Sequence, residues 1–314
     1  MSIQEISTTL HAMSGQNIDR LIGVLLLALF LATGSCHRVP DPPSPDDTDL
    51  FAACVIPGTA STFNIVTFNA EGFPKEGYAS IAAMSALVKS IDPDIVALQE
   101  VASEADFNRL VKLMPGWEGV FYPVDNGDWN LAYLIKESET ELIAGSSRLL
   151  FEDDSWAFPR PPFEIRVRYK SSGTEFLLIN LHLKCCSGSD NESRRRSASE
   201  QLKEYLDIQH PDDAVVMLGD YNDEISSSVQ AENPFLNLIN DPADYFFADM
   251  EIAMGSELWW SYPSWPSHID HILVTDEVTP VLDTTLVYKV SPCYPDYQDV
   301  LSDHRPVGIT LSPR

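Results

Sequence analysis

Residues 215–223 read Val-Val-Met-Leu-Gly-Asp-Tyr-Asn-Asp, and this stretch decides the fold. Ala214 to Gly219 is a short apolar run stopped by glycine, the pattern of a strand buried on both faces. A carboxylate, Asp220, and an amide, Asn222, follow at once. The same grammar recurs on either side. FNIVTFNA (63–70) alternates as a strand and ends near Asn69, and IVALQE (95–100) is an apolar run closed by Glu100. The apolar run in FLLINLHLK is interrupted by His182, Asp270 sits in HIDHILV, and Asp303-His304 precede a last strand from Pro306 to Leu311. Further strands are expected at Asn130–Lys136, Phe163–Lys170, Glu175–Leu183 and Ile269–Thr275, with helices at Ala79–Ser90, Ala105–Leu113 and Glu192–Leu206. Strands interleaved with helices, with no repeat period and no Gly/Ser-rich break, describe one α/β domain from Ala60 to Arg314.

Carboxylates, amides and imidazoles at strand ends converge on one rim in layered α/β folds, which marks a site. Each has a plainer reading when taken alone. Glu100 would cap the helix that follows, His182 would be a hydrogen-bonded core histidine, and Asp303 would cap a turn. Asp220 to Asp223 would be a turn in which Asx side chains bond their own backbone.

The set in its order and spacing resembles a known family. Asn69 in FNIVTFNAEG, Glu100 in DPDIVALQEV, His182 in INLHLK, Gly219-Asp220-Tyr221-Asn222, Asp270 in IDHIL and Ser302-Asp303-His304-Arg305-Pro306 are similar to the motifs of the endonuclease/exonuclease/phosphatase superfamily, which has the DNase I-like fold. The resemblance covers Thr62 to Leu311. It implies a four-layered α/β sandwich, two packed mixed sheets flanked by helices, and a divalent-metal-dependent phosphodiester hydrolase.

By that resemblance Glu100 is the principal metal ligand, with Asn69 beside it and Asp303 completing the shell. The implied ion is Mg²⁺, with Mn²⁺ or Ca²⁺ as alternatives; such hard cations take oxygen ligands. Asp220 would orient or deprotonate the attacking water and Asn222 would donate to a phosphoryl oxygen. Asp270 and His304 resemble the family's His/Asp pair, in which the carboxylate fixes the tautomer and raises the imidazole pKa. His182 matches a second histidine that binds phosphate or protonates the leaving group. Its acidic partner in DNase I-like members has no clear counterpart in Asp125-Asn-Gly-Asp128-Trp-Asn130. Arg160, in FPRPP, matches a phosphate-contacting arginine; its plainer reading is a surface turn between prolines.

The chain of 314 residues carries 20 Lys+Arg against 47 Asp+Glu, a formal charge of −27, which excludes a long basic arm and counts against a polyanionic partner. The balance is uneven. Between Arg160 and Lys203 nine Lys and Arg face five Asp and Glu, so a basic segment containing Arg160 and His182 is expected beside the site. Its plainer reading is a solvated helix face around Arg194 to Arg196. Three substrate readings follow: a nuclease on DNA or RNA, a phosphoesterase for a lipid headgroup or small phosphate compound, or a binding protein that has lost catalysis. Trp259, Trp260 and Trp265 would form an aromatic lip for bases or lipid, or pack inside. The chain is expected to be monomeric.

At the N-terminus, Leu21 to Ala32 is twelve apolar residues preceded by Arg20, the shape of a signal-peptide core. Thr33-Gly34-Ser35-Cys36 resembles a lipobox, although Thr33 stands where leucine is usual. Residues 1–36 are therefore read as a signal peptide ending at a lipidated Cys36 that holds the protein on a membrane, with secretion or a retained anchor as alternatives. All three place the remainder outside the cytoplasm, at the cell envelope or beyond. Residues 37–59 read as a stiff Pro/Asp-rich linker. Cys54, Cys185, Cys186 and Cys293 then form an even set with three pairings open, or stay as free thiols.

Overall fold

The first strand, β1 (Phe63–Phe73), shows why two sheets stack. Phe63, Ile65, Thr67 and Asn69 share one face and Val66, Phe68 and Ala70 the other, because successive side chains on a strand point to opposite sides. All seven are buried, so both faces of the strand are covered. In the computed structural model, which describes residues 42–59, 61–123, 129–226 and 233–313, β1 lies inside a six-stranded mixed sheet. It pairs parallel with β2 (Ile95–Val101) and antiparallel with β13 (Val307–Leu311). β12 (Leu282–Val287) extends the sheet past β13, and β4 (Asn130–Lys136) and β3 (Trp117–Tyr122) extend it past β2.

The second sheet runs β10 (Tyr245–Phe247), β11 (Asp270–Thr275), β9 (Val215–Asp220), β8 (Glu175–His182), β7 (Phe163–Tyr169) and β5 (Thr140–Leu142), with β6 (Arg148–Leu149) also on β7. Only β8 and β9 are parallel in it. The apolar faces of the two sheets meet in one core that includes Ile65, Ile95, Tyr133, Ile165, Leu178, Leu218 and Ile309. Outside the first sheet, helices α1 (Tyr78–Ile91) and α2 (Glu104–Lys112) bury Met84, Leu87, Phe107 and Leu110 against Phe68 and Leu98. Outside the second, α3 (Ser189–Gln209) buries Ala198, Leu202 and Leu206 against Ile179 and Met217. Helix, sheet, sheet and helix make four layers, as expected.

The expected linker is corrected by this structure. From residue 42 the chain belongs to the folded unit. Phe51 is fully buried against α1 and Tyr294, Pro45 O accepts from Ser85 and Lys89 of α1, and Gly58 N donates to Ile91 O. Apolar anchors and a Cys54–Cys293 disulfide outweigh the Pro/Asp composition here. Of the open pairings the structure forms Cys54–Cys293, while Cys185 and Cys186 carry no disulfide, their Sγ atoms 2.7 Å apart. The signal-like segment, Cys36 and residues 124–128 lie outside the described residues; among those described, no helix is long and apolar enough to cross a membrane.

Candidate active site

Strand parity delivers the site. Asn69, His182, Asp220 and Asp270 continue the faces of Ile65, Leu178, Leu218 and Ile272, which fill the core between the sheets. At the strand ends that core gives way to a polar rim. In the second sheet the three neighbours are in register, with His182 opposite Asp220 in the parallel pair and Asp270 opposite Asp220 in the antiparallel one. Gly219 permits the approach: it has φ 150°, and a Cβ there would stand 1.9 Å from Leu181 O. No other residue type fits between β8 and β9 at that point.

Asn69 reaches across from the first sheet. Its Nδ2 donates to Asp220 Oδ2 at 2.9 Å and to Glu100 Oε1 at 3.0 Å. By parity Glu100 would face α1 and α2, but its φ of 59° and the register shift after Leu98 turn it toward the rim. The helix that follows is capped instead by Ser103, whose hydroxyl accepts from Asp106 N, so the plainer reading of Glu100 does not hold. His182 Nε2 lies 3.7 Å from Glu100 Oε1 and 3.6 Å from Asp220 Oδ2. His304 Nδ1 is 2.8 Å from Asp270 Oδ2, and its Nε2 is 4.0 Å from Asp220 and 3.8 Å from Asp303 Oδ1. Asn222 N donates to Asp220 Oδ1 at 2.8 Å, an Asx turn that coexists with the site. Arg160 is held at the end of β8, donating from Nε to His182 O at 3.1 Å and from Nη2 to Leu183 O.

Burial and crowding set the charges. Burial and the nearby Asp220 carboxylate push Glu100 up to about 7, against the hydrogen bond from Asn69. Burial and Asp270 raise Asp220 to about 6, against the pull of His304. Burial opposes a charge on His304, but Asp270, Asp220 and Asp303 around it prevail and raise it to about 10. Burial, helped by Arg160, holds His182 well below the ordinary histidine range, so His182 is neutral while His304 is a cation.

Several neighbours were not singled out by the sequence. Glu71 accepts from Asp303 N at 2.7 Å and pairs with Lys75, and Ser302 Oγ donates to Asn69 O at 2.6 Å. Glu71 stands two residues past Asn69 at a strand end, the signal already used for Asn222, which stands two past Asp220. Tyr262 places its ring 4.8 Å from that of His304. Gln99 Nε2 donates to Asn180 Oδ1 at 2.7 Å and to Thr67 at 3.0 Å, a buried polar plug that ties the sheets together.

The expected basic face is corrected. Arg166 pairs with Asp213, Arg168 with Glu141 and Glu175, Arg195 with Asp223, and Lys203 with Asp207 and Asp241. Most of these acids come from other segments, so folding pairs away much of the local excess, while Arg160 and Lys184 stay close enough to His182 to oppose a charge on it. Of the three tryptophans expected at a lip, Trp265 and Trp259 are exposed, 79% and 53%, while Trp260 Nε1 donates to Ile252 O.

A sandwich of this layering, with acid, amide and imidazole groups on its rim, defines a class. The model of the Endonuclease/Exonuclease/phosphatase family matches residues 66–304, and the chain belongs to that family, whose members are generally metal-dependent phosphoesterases. Solved structures share the fold. A D. rerio TDP2 complexed with single-strand DNA product is 15% identical, with TM-score 0.62 over 80% of this chain and 98% of that one. The human Nocturnin catalytic domain with bound sulfate is 18% identical, with TM-score 0.59 over 82% and 96%. A family member from Bacteroides vulgatus is 16% identical, with TM-score 0.59 over 81% and 99%. No curated protein matches by sequence.

Proposed function

We propose that the chain is a Mg²⁺-dependent phosphodiester hydrolase that cleaves nucleic acid outside the cytoplasm. The observation that carries this reading is the junction at Asp220, where Asn69 of the first sheet, His182 of the second and His304 of the loop before β13 all come within 4.0 Å of one carboxylate oxygen.

The donor set fits a hard cation. Glu100 and Asp303 offer carboxylate oxygens, Asn69 the second lone pair of an amide oxygen that already accepts from Glu71 N at 3.0 Å, and Asp303 Oδ1 is buried without a hydrogen-bond partner. These three residues would hold the ion, which supplies positive charge against the phosphoryl and leaving oxygens. The rest is done by the chain. Asp220, poised near 6 and fixed by Asn69 and Asn222, takes a proton from the attacking water as its oxygen bonds to phosphorus and the ester bond breaks. His304, kept protonated by Asp270, faces the growing negative charge and gives its proton to the leaving oxygen as the ester bond breaks. Neutral His182 orients the phosphate by donating a hydrogen bond and does not serve as the acid. Arg160 and Asn222 are assigned to phosphoryl oxygens.

Nucleic acid is favoured by the neighbour solved with a DNA product and by the exposed Trp265, which suits base stacking. The Cys54–Cys293 disulfide supports an oxidising compartment, and with the lipobox-like Cys36 supports an envelope lipoprotein. The test is incubation of the purified full-length chain with plasmid DNA, RNA, sphingomyelin and inositol phosphates, with Mg²⁺, Mn²⁺ or EDTA. Metal-dependent cleavage of DNA or RNA is expected. Cleavage of the lipid or the inositol phosphates alone overturns the nuclease assignment, and inactivity on all four overturns the enzyme.

A further inference from the structure

Behind the rim, on the far side of the second sheet, Asp249, His268 and His271 form a cluster that is at most 1% exposed. His271 neighbours Asp270 on β11 and so points the opposite way. It packs among Tyr221 and Phe247, with ring centroids 5.4 and 6.0 Å away, and cannot touch a substrate on the rim. Nothing in the proposed chemistry uses this cluster, yet burying a charged pair is costly unless every atom is matched.

The hydrogen bonds show what is matched. His271 Nε2 is 3.0 Å from Asp223 O, and a carbonyl only accepts, so Nε2 carries a proton. His271 Nδ1 is 2.5 Å from Asp249 Oδ2, and because the two imidazoles hold Asp249 ionised against its burial that oxygen accepts, so His271 is an imidazolium held between carboxylate and carbonyl. His268 Nδ1 accepts from Ser261 N at 3.2 Å, which leaves the proton on Nε2, facing the same Asp249 oxygen from 3.0 Å though poorly aligned for a hydrogen bond. Asp249 Oδ1 accepts from Ile272 N at 2.9 Å.

The three side chains have the composition of a metal site. Their protons argue otherwise. A metal at His268 Nε2 would leave that ring with no proton on either nitrogen, since Nδ1 is already an acceptor.

The far ends of both imidazoles lead to the rim. Asp223 O lies in the turn that holds Asn222 at φ 55°, a left-handed conformation that needs outside support. Ser261 Oγ accepts from Ile269 N at 3.3 Å and Asp270 N at 3.2 Å, and Ser261 O accepts from Arg305 N at 2.7 Å, next to His304. We infer that Asp249 is a positioning residue for hydrolysis: through His271 and His268, one buried carboxylate fixes the turn that presents Asn222 and the loop that presents Asp270. This rests on the hydrolase reading above for its effect on rate, but not for its structural content.

The test has two arms. The first needs no substrate: long-range ¹H–¹⁵N spectra of the imidazoles in the full chain. At neutral pH His271 is expected to carry protons on both nitrogens and His268 on Nε2. In Asp249→Asn, His271 should become neutral, and the Asn222 and Asp270 amides should shift. A neutral His271 in the wild type, or metal bound stoichiometrically and lost in Asp249→Asn, overturns the inference.

The second arm is kinetic. In Asp249→Asn kcat should fall by about 10–100-fold with KM and Mg²⁺ affinity nearly unchanged, and in an Asn222→Ala background the same change should cost clearly less, the remainder being the effect through the Asp270 loop. Fully additive losses indicate a merely structural residue and overturn the proposal. Should Asp249→Asn not fold, His271→Gln, whose amide can still donate to Asp223 O, is expected to retain more activity than His271→Leu; equal loss in both counts against it. A wild type inactive on every ester overturns the hydrolase reading alone, because the spectra still decide the proton positions.

Discussion

Asn69 Nδ2 and Asp220 Oδ2, 2.9 Å apart, join the two sheets at the rim: the amide stands on β1 of the first sheet and the carboxylate at the end of β9 in the second. A second bond from the same nitrogen keeps Glu100 in place. Asn69→Ala removes both and leaves two carboxylates facing each other. Its rate on a cleavable phosphodiester is expected to drop by about 10²–10³, the scale of losing one preorganised donor. Steady-state kinetics at saturating Mg²⁺ checks this, with circular dichroism to show that the fold survives.

Metal binding should release protons. Glu100 near 7 and Asp220 near 6 bind protons in the metal-free protein and give them up as pH rises through those values. A cation favours the charged form, so Mg²⁺ affinity should be full above about pH 8 and fall as pH drops through 7. Calorimetry in buffers of different ionisation enthalpy should find proton release near pH 6.5 and almost none at pH 8.5. The rise in Tm on adding Mg²⁺ should be larger at pH 8 than at pH 5.5.

The Asp270–His304 pair sets the alkaline limit of activity. His304, raised to about 10, keeps its proton across the neutral range, so the wild-type rate should hold until the pH nears that value. In Asp270→Asn the imidazole loses its nearest carboxylate and moves back toward an ordinary value of about 6.5. Activity of that variant should therefore be lost as pH rises above 7. A pH–rate profile of the two proteins decides it; superimposable alkaline limbs would count against a protonated His304.

Reduction should loosen the N-terminal segment. Cys54–Cys293 spans a sequence separation of 239, and Cys54→Ser with Cys293→Ser should cost about 2–5 kcal/mol by urea denaturation. Non-reducing peptide mapping should recover that bridge, with Cys185 and Cys186 both open to alkylation.

Gly219→Ala tests the close strand approach. Its methyl group has no space beside Leu181 O, and a loss of about 3 kcal/mol or more is expected in thermal denaturation.

The central strands were legible in the sequence because burial on both faces leaves an unbroken apolar run, and a polar residue at the end of such a run stands out. That is how Asn69, Glu100, Asp220 and Asp270 could be read before any coordinates. The edge strands were not. Trp117–Tyr122 is only partly buried along its length, and Arg148–Leu149 and Tyr245–Phe247 are too short to show a period. The basic segment misled for a different reason. Arg166 and Asp213 lie 47 residues apart, so local counting assigns a charge to the surface that the fold pairs away. Asp249 and His271 were hidden likewise, since their partners meet only across strands.

His182, Asp220 and Asp270 occupy adjacent rungs of one hydrogen-bonded ladder, so their spacing is dictated by the separation of strands, about 4.8 Å. No side-chain adjustment can widen it. The pocket of about 380 Å³ beside them is bounded instead by chain that leaves the ladder, including Asn222, Glu224, Tyr262, Trp265 and Pro266. On the hydrolase reading, Asn222 belongs to both the pocket wall and the reacting centre, while Trp265 and Pro266 belong to the wall alone. Replacing Trp265 or Pro266 is therefore expected to change which esters are cleaved more than the rate on a small phosphodiester, which kinetics on both kinds of substrate would check.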